Sequence, residues 1–234
     1  MGCDQISLRR VIFVIVWALL LPVGSCSDDD SNPVKPKEPA YKCLEVICPR
    51  DNVLHNLQSA YNDRNISRYD ELLDNDFVFY FSVYDVQYGY VSSEYWSRAA
   101  EINANKNIFD PNYSNPTQEP VQDIDLSLAY LSGDDEWTPI PAPDQVKYPG
   151  ETWYQKIVTY NLTVQLSGEF QYRGLNKQAE FTVRAATVES KQVWRIVVWR
   201  DDTGTGLDVL NGAGRLARVV EERTWGEVKS LYDG

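Results

Sequence analysis

Between Val53 and Phe81 the apolar positions change period twice. Val53, Leu54, Leu57, Ala60 and Tyr61 recur at helical spacing and give one apolar face. Asn62-Asp63-Arg64-Asn65 interrupts them with turn formers. Ser67 followed by Asp70 resembles a capping box and starts a second helix carrying Tyr69, Leu72 and Leu73. Asp74-Asn75-Asp76 ends that helix. Phe77-Val78-Phe79-Tyr80-Phe81 then forms a strand with two apolar faces. Neither helix is long enough to stand alone, so both must pack on a sheet that the rest of the chain supplies.

Upstream, Pro49-Arg50-Asp51 leads into the first helix with Asp51 as N-cap. Downstream, Tyr84 to Tyr90 reads as loop or strand extension, and Ser92-Ser93-Glu94 opens a third helix with Tyr95, Trp96, Ala99 and Ala100 facing inward. Asp110 to Pro120 is loop. From there the period becomes two. Ile124, Leu126, Leu128 and Tyr130 alternate with polar residues, as do Val158, Tyr160, Leu162, Val164 and Leu166. Between them Ser132 to Gly150 carries four prolines and reads as a surface excursion. Ser167-Gly168 marks a bulge or turn, Glu169 to Arg173 continues the ribbon, and Ala179 to Glu189 and Val193 to Arg200 are the last two strands, joined at Ser190-Lys191. Thr224 to Glu227 is a capping box ahead of a closing helix with Val228, Leu231 and Tyr232 on one face. Helices followed by long strands give an α+β fold, with a curved antiparallel sheet wrapped around the N-terminal helices and a short C-terminal helix.

The first residues belong to a different pattern. Arg9-Arg10 precedes the apolar run Val11 to Leu21, which is too short to span a bilayer and reads as a signal peptide over residues 1–25. Leu21-Pro22-Val23-Gly24-Ser25-Cys26 resembles the lipobox of bacterial lipoproteins, and the resemblance implies cleavage before Cys26 and lipidation, hence palmitate, on that residue. Residues 26–40, polar and proline-rich, suit an extended tether that holds a domain off a membrane. The expected location is the cell envelope, on the outer membrane, facing either periplasm or surface. Cys43 and Cys48, spaced C-x4-C, can form a disulfide in that oxidising compartment. With one histidine and no further cysteines in the domain, no structural zinc site can be assembled and no metal is expected. The formal charge of −12 and the lack of a Lys/Arg stripe argue against a nucleic-acid partner.

The segment LQSAYNDRNISRYDELLDNDFVFYF, a later helix, and long strands ending in VWRIVVWRD together resemble the NTF2-like (SnoaL-like) superfamily over residues 50–202. The domains are then 41–206 for the NTF2-like body and 207–234 for a C-terminal helical extension. The resemblance implies a conical pocket between helix and sheet. In the enzymes of that superfamily a carboxylate base ends the first strand and a tyrosine on the first helix donates a hydrogen bond. Here those positions fall on Phe81 and Leu57, neither of which can transfer a proton.

Other candidate chemistry is sparse. His55, Tyr61 and Asp85 are candidates for relocated groups in an isomerase, cyclase or hydrolase. Arg173, Arg184 and Arg195 lie in strands, where one could face a pocket and fix an anion, or pair with Glu169, Glu180 or Glu189. Gly204-x-Gly206 and Gly212-x-Gly214 lack the third glycine of a phosphate loop, and no cofactor motif is present. Fifteen tyrosines and seven tryptophans leave an aromatic pocket as the main clue, with Tyr61, Phe79, Phe81, Tyr160, Trp194 and Trp199 as its candidate lining. The reading is a membrane-anchored, non-catalytic domain that binds a small apolar ligand or a partner protein. Enzymatic use of the relocated groups, or homodimerisation through the sheet face, are the alternatives.

Overall fold

In the computed structural model, helix α1 (Asp51–Asn62) lies against one face of a large, curved, unclosed sheet. Residues 41–116, 118–130, 137–167, 170–201 and 220–233 are described, and they belong to one compact unit. The signal peptide, the tether with Cys26, Glu169, Asp202 and both glycine pairs lie outside the described residues. Among the described residues no helix is long and apolar enough to cross a membrane.

The remaining elements are α2 (Ile66–Leu72), β1 (Leu73–Tyr80), α3 (Val83–Gln87), β2 (Tyr95–Ser97), α4 (Arg98–Phe109), β3 (Val121–Tyr130), β4 (Thr138–Pro141), β5 (Thr152–Leu166), β6 (Gln171–Val188), β7 (Lys191–Asp201), β8 (Val220–Glu222) and α5 (Trp225–Leu231). The sheet order is β2-β1-β7-β6-β5-β3, with β4 on β5 and β8 on β6. All pairings are antiparallel except β1 with β7 and β6 with β8. Alternation on β5 holds as the sequence implies: Val158, Tyr160, Leu162, Val164 and Leu166 are all buried beneath the helices.

Local departures from the sequence reading have identifiable causes. Arg50, not Asp51, is the N-cap of α1, and it makes no side-chain cap. Asn65 caps α2 by accepting from the Arg68 amide, two residues ahead of Ser67. Asp74-Asn75-Asp76, read as a helix stop, lies within β1. Leu73 pairs with Ile196 and Val78 with Val198, so four β1 residues bulge out against one on β7. Ser82 caps a short helix over part of the tyrosine-rich stretch. Tyr95 and Trp96 form an edge strand, and the third long helix begins only at Arg98. The excursion at 138–150 is partly ordered structure: β4 pairs with β5, and Ala142 and Tyr148 cover Trp153 and Val197 in a second, smaller core. The β6–β7 turn is Glu189-Ser190, both at positive φ (48° and 70°), the backbone of a type I′ hairpin built without glycine.

Cys43 and Cys48 form a disulfide just ahead of α1, with Cα atoms 6.0 Å apart. The Trp194 indole N–H donates to the Cys48 carbonyl at 3.2 Å, and the Trp194 amide to Leu44 at 2.8 Å, fastening this segment to β7.

Candidate functional site

Two places in the molecule bear on function: the interior of the cone, and a groove at its rim. The interior is occupied by the chain itself. Tyr61 is fully buried, its ring edge-on to those of Tyr69, Trp225, Phe109 and Trp199 at centroid distances of 4.9–6.1 Å. From α5, Lys229 reaches into the same space. Its Nζ stands 2.8 Å from Glu101 Oε1, 3.2 Å from the Phe79 ring centre and 4.4 Å from that of Trp199. Glu101 Oε1 also accepts from Tyr69 Oη and from Asn105 Nδ2, while its Oε2 has no hydrogen-bond partner. Lys229 and Glu101 are both wholly shielded from solvent. Burial pushes the Lys229 ammonium down to about 8 against the opposing pull of the Glu101 carboxylate. Burial, and then the same carboxylate, hold Tyr61 and Tyr69 well above the ordinary tyrosine range.

The seat of α5 explains why the helix stays there. Thr224 and Glu227 make the capping box that the sequence predicts, and Thr224 Oγ1 also donates to Asp85 Oδ2 at 2.7 Å. The Gly226 amide donates to Asp201 Oδ2 at 2.6 Å, and Tyr160 Oη to Asp201 Oδ1 at 2.7 Å. A Cβ at Gly226 would fall 2.6 Å from Phe81 Cδ1, so only glycine permits this approach. Trp225 and Val228 are buried in the main core.

The open site lies on the other side of Phe81. A groove of about 570 Å³ runs between α3, the start of β2 and the end of β7, lined by Tyr80, Phe81, Val83, Val86, Gln87, Glu94, Arg200 and Asp201. Its walls are mainly apolar, with Gln87, Glu94 and Arg200 as polar points. Arg200 stacks on Tyr80 at 4.0 Å and pairs with Glu180 at 3.2 Å. Beside the groove Tyr84 and Tyr88 stack with rings 9° apart, and Tyr88, Tyr90 and Tyr95 are more than half exposed.

Of the six aromatic residues expected to line one pocket, only Phe81 lines this groove. Tyr61, Phe79 and Trp199 pack against one another and α5. Tyr160 holds Asp201, and Trp194 packs on Tyr154 under the guanidinium of Arg50. His55, Tyr61 and Asp85 have separate surroundings: Ser59 Oγ lies 3.4 Å from His55 Nδ1, Tyr61 is in the core, and Asp85 takes the Thr224 hydroxyl. Among the groove residues that sequence reasoning missed, Val86 and Gln87 sit in the tyrosine-rich stretch and Val83 just ahead of it. Its apolar positions are too few for a helical period to show. Among the described residues no cluster of three or more His, Cys, Asp or Glu could hold a metal ion.

No protein-family model matches the chain, and no curated protein does. Among solved structures it is similar to the β subunit of benzoate 1,2-dioxygenase from Burkholderia mallei, at 12% identity over 68% of this chain and 91% of that one, TM-score 0.43. It is also similar to a conserved protein from Planctomyces limnophilus, at 14% identity over 63% and 88%, TM-score 0.42. An NTF2-like protein of unknown function in nutrient uptake from Rhodospirillum rubrum matches at 11% identity over 66% and 98%, TM-score 0.39.

Proposed function

We propose that this is a lipid-anchored envelope protein whose domain binds a small, largely apolar ligand in the groove beside Phe81, without catalysing a reaction on it. One observation supports the groove as the seat: the cone interior is filled by Tyr61, Trp225 and Lys229, while the groove is open, apolar-walled and large enough for a small molecule. Gln87, Glu94 and Arg200 would orient one polar group of that ligand. The test is a titration with the neutral fluorophore N-phenyl-1-naphthylamine. Saturable enhancement that is lost in Val86→Arg is expected; an unchanged titration in that variant overturns the groove. The anchor is tested separately, since Cys26→Ser should abolish labelling by a fatty-acid probe and release the protein from membranes. Labelling that persists would remove the lipid from the proposal.

A second reading has one observation in its favour. Asp201 lines the groove and sits within hydrogen-bond reach of Tyr160, the acid–tyrosine pairing that proton-transfer chemistry needs. Both Asp201 oxygens already accept hydrogen bonds, one from Tyr160 and one from Gly226, so the pair is better suited to holding α5.

A further inference from the structure

The outer face of the sheet carries an electrostatic arrangement that the ligand groove does not use. Arg184 on β6 and Arg195 on β7 are direct cross-strand partners, so their side chains leave the same face side by side. Like charges placed directly opposite destabilise a sheet. Arg98, at the first position of α4, is a third guanidinium lining the same groove. Two of the three are neutralised. Arg98 pairs with Asp70 at 2.7 Å, and Arg184 with Asp74 at 2.9 Å and Glu151 at 3.4 Å. Glu71, the remaining acid on the lining, pairs with Arg68. Arg195 has no ion-pair partner among the described residues, and its Nη1 is buried without a hydrogen bond, as is Arg98 Nε. Burial disfavours its charged form; the carboxylates of Glu71 and Asp74 oppose this, and the like charge of Arg98 adds to it.

The space in front of Arg195 is real. The bulge of β1 between Leu73 and Val78 draws that strand away from β7, leaving a groove of about 420 Å³. Alternation along β6 sets Ala186 and Val188 on the same face as Arg184, and Leu73 stands on the lining with them. An apolar strip therefore leads away from a guanidinium that has no ion pair among the described residues.

From this geometry we infer that the groove is a binding site for a small carboxylic acid, with Arg195 taking the carboxylate and Leu73, Ala186 and Val188 its hydrocarbon body. The charge balance favours a monoanion over a dianion. The lining carries three guanidinium groups and three carboxylates, so a carboxylate adds one negative charge and a phosphate dianion two beside Asp70, Glu71 and Asp74. The planar fork of arginine matches two carboxylate oxygens. The site shares no residue with the Phe81 groove, so it stands or falls independently.

The experiment is a ligand-observed NMR titration of the full chain with sodium hexanoate, run beside 1-hexanol and inorganic phosphate. Saturable hexanoate binding is expected, at least tenfold tighter than hexanol, and weakened at least tenfold in Arg195→Gln. Arg195→Lys, which keeps the charge but loses the fork, should fall between. Ala186→Asp supplies a carboxylate inside the groove and should block hexanoate without touching Arg195. No hexanoate binding to the native chain, equal binding by Arg195→Gln and Ala186→Asp, hexanol as tight as hexanoate, or phosphate tighter than hexanoate would each overturn the assignment.

Discussion

The molecule handles buried charge in two opposite ways. Beneath α5, Lys229 is cut off from water and is given a carboxylate, through it a short path to the polar side chains of Tyr69 and Asn105, and two aromatic faces. On the outer face Arg195 is half-buried beside another arginine and has no ion pair among the described residues, only the field of Glu71 and Asp74 nearby. The first arrangement fills what would be a pocket in an open cone and ties the C-terminus to the core. The second leaves a guanidinium on a cavity wall without an ion pair of its own among the described residues. A charge paired in the interior therefore argues for structure, and one without an ion pair of its own at a cavity wall argues for a ligand.

The largest effect should come from breaking the compensated pair. Glu101→Ala leaves an ammonium in the core without its counter-charge, and such removals cost about 3–5 kcal/mol. Urea unfolding should show the loss as a lower midpoint at unchanged slope. Replacing both partners, as Glu101→Leu with Lys229→Met, should recover most of it, because the desolvation cost leaves together with the attraction. If the double variant is as unstable as the single one, the interior is held by the pair and not by the packing of Trp225 and Val228.

How much of this was legible beforehand differs between the same two regions. The α+β architecture, the β5 alternation and the Thr224 capping box follow from periods and caps, which are local properties. That Lys229 enters the core is hidden, because a lysine beside Val228 reads as the polar side of a short amphipathic helix. Its burial depends on Glu101, 128 residues away in sequence. Likewise the aromatic residues of the strands were legible as a group, but which of them face a void depends on whether α5 fills it. Arg184 and Arg195 were visible as strand arginines. Their register, and the β1 bulge that opens the groove, come from pairings between distant strands. The bulge runs through Asp74-Asn75-Asp76, residues that locally favour a turn.

A smaller effect separates the two regions by pH. The folded state holds Lys229 down at about 8 and the unfolded chain holds it at its ordinary value of 10.5. Between those values the unfolded chain binds more protons, so stability must rise as pH climbs from about 8. Tyr61 and Tyr69 act the other way from about pH 10, the ordinary tyrosine value. There the unfolded chain ionises first, and stability falls. The window for the gain is therefore about pH 8 to 10, where at most ~1.4 kcal/mol per pH unit is available. Denaturation midpoints at the two ends should differ in the native chain and converge in Lys229→Met. A rise that survives in Lys229→Met would place its origin elsewhere.

The smallest effect is the most discriminating. Arg195→Gln removes a charge that has no ion pair among the described residues and stands opposite Arg184, so it should leave stability unchanged or raise it by up to about 0.5 kcal/mol, within the range of cross-strand charge terms. Salt should shrink any gain, because the repulsion it relieves is partly screened at the surface. The same substitution is expected to weaken hexanoate, so one residue would be dispensable to the fold and needed by the ligand. A loss of more than about 1 kcal/mol in Arg195→Gln would mean that Arg195 is a stabilising member of the acidic network around Asp70, Glu71 and Asp74. The contrast with Lys229 would then disappear, since both cations would be compensated, one at short range and the other through the field of several carboxylates.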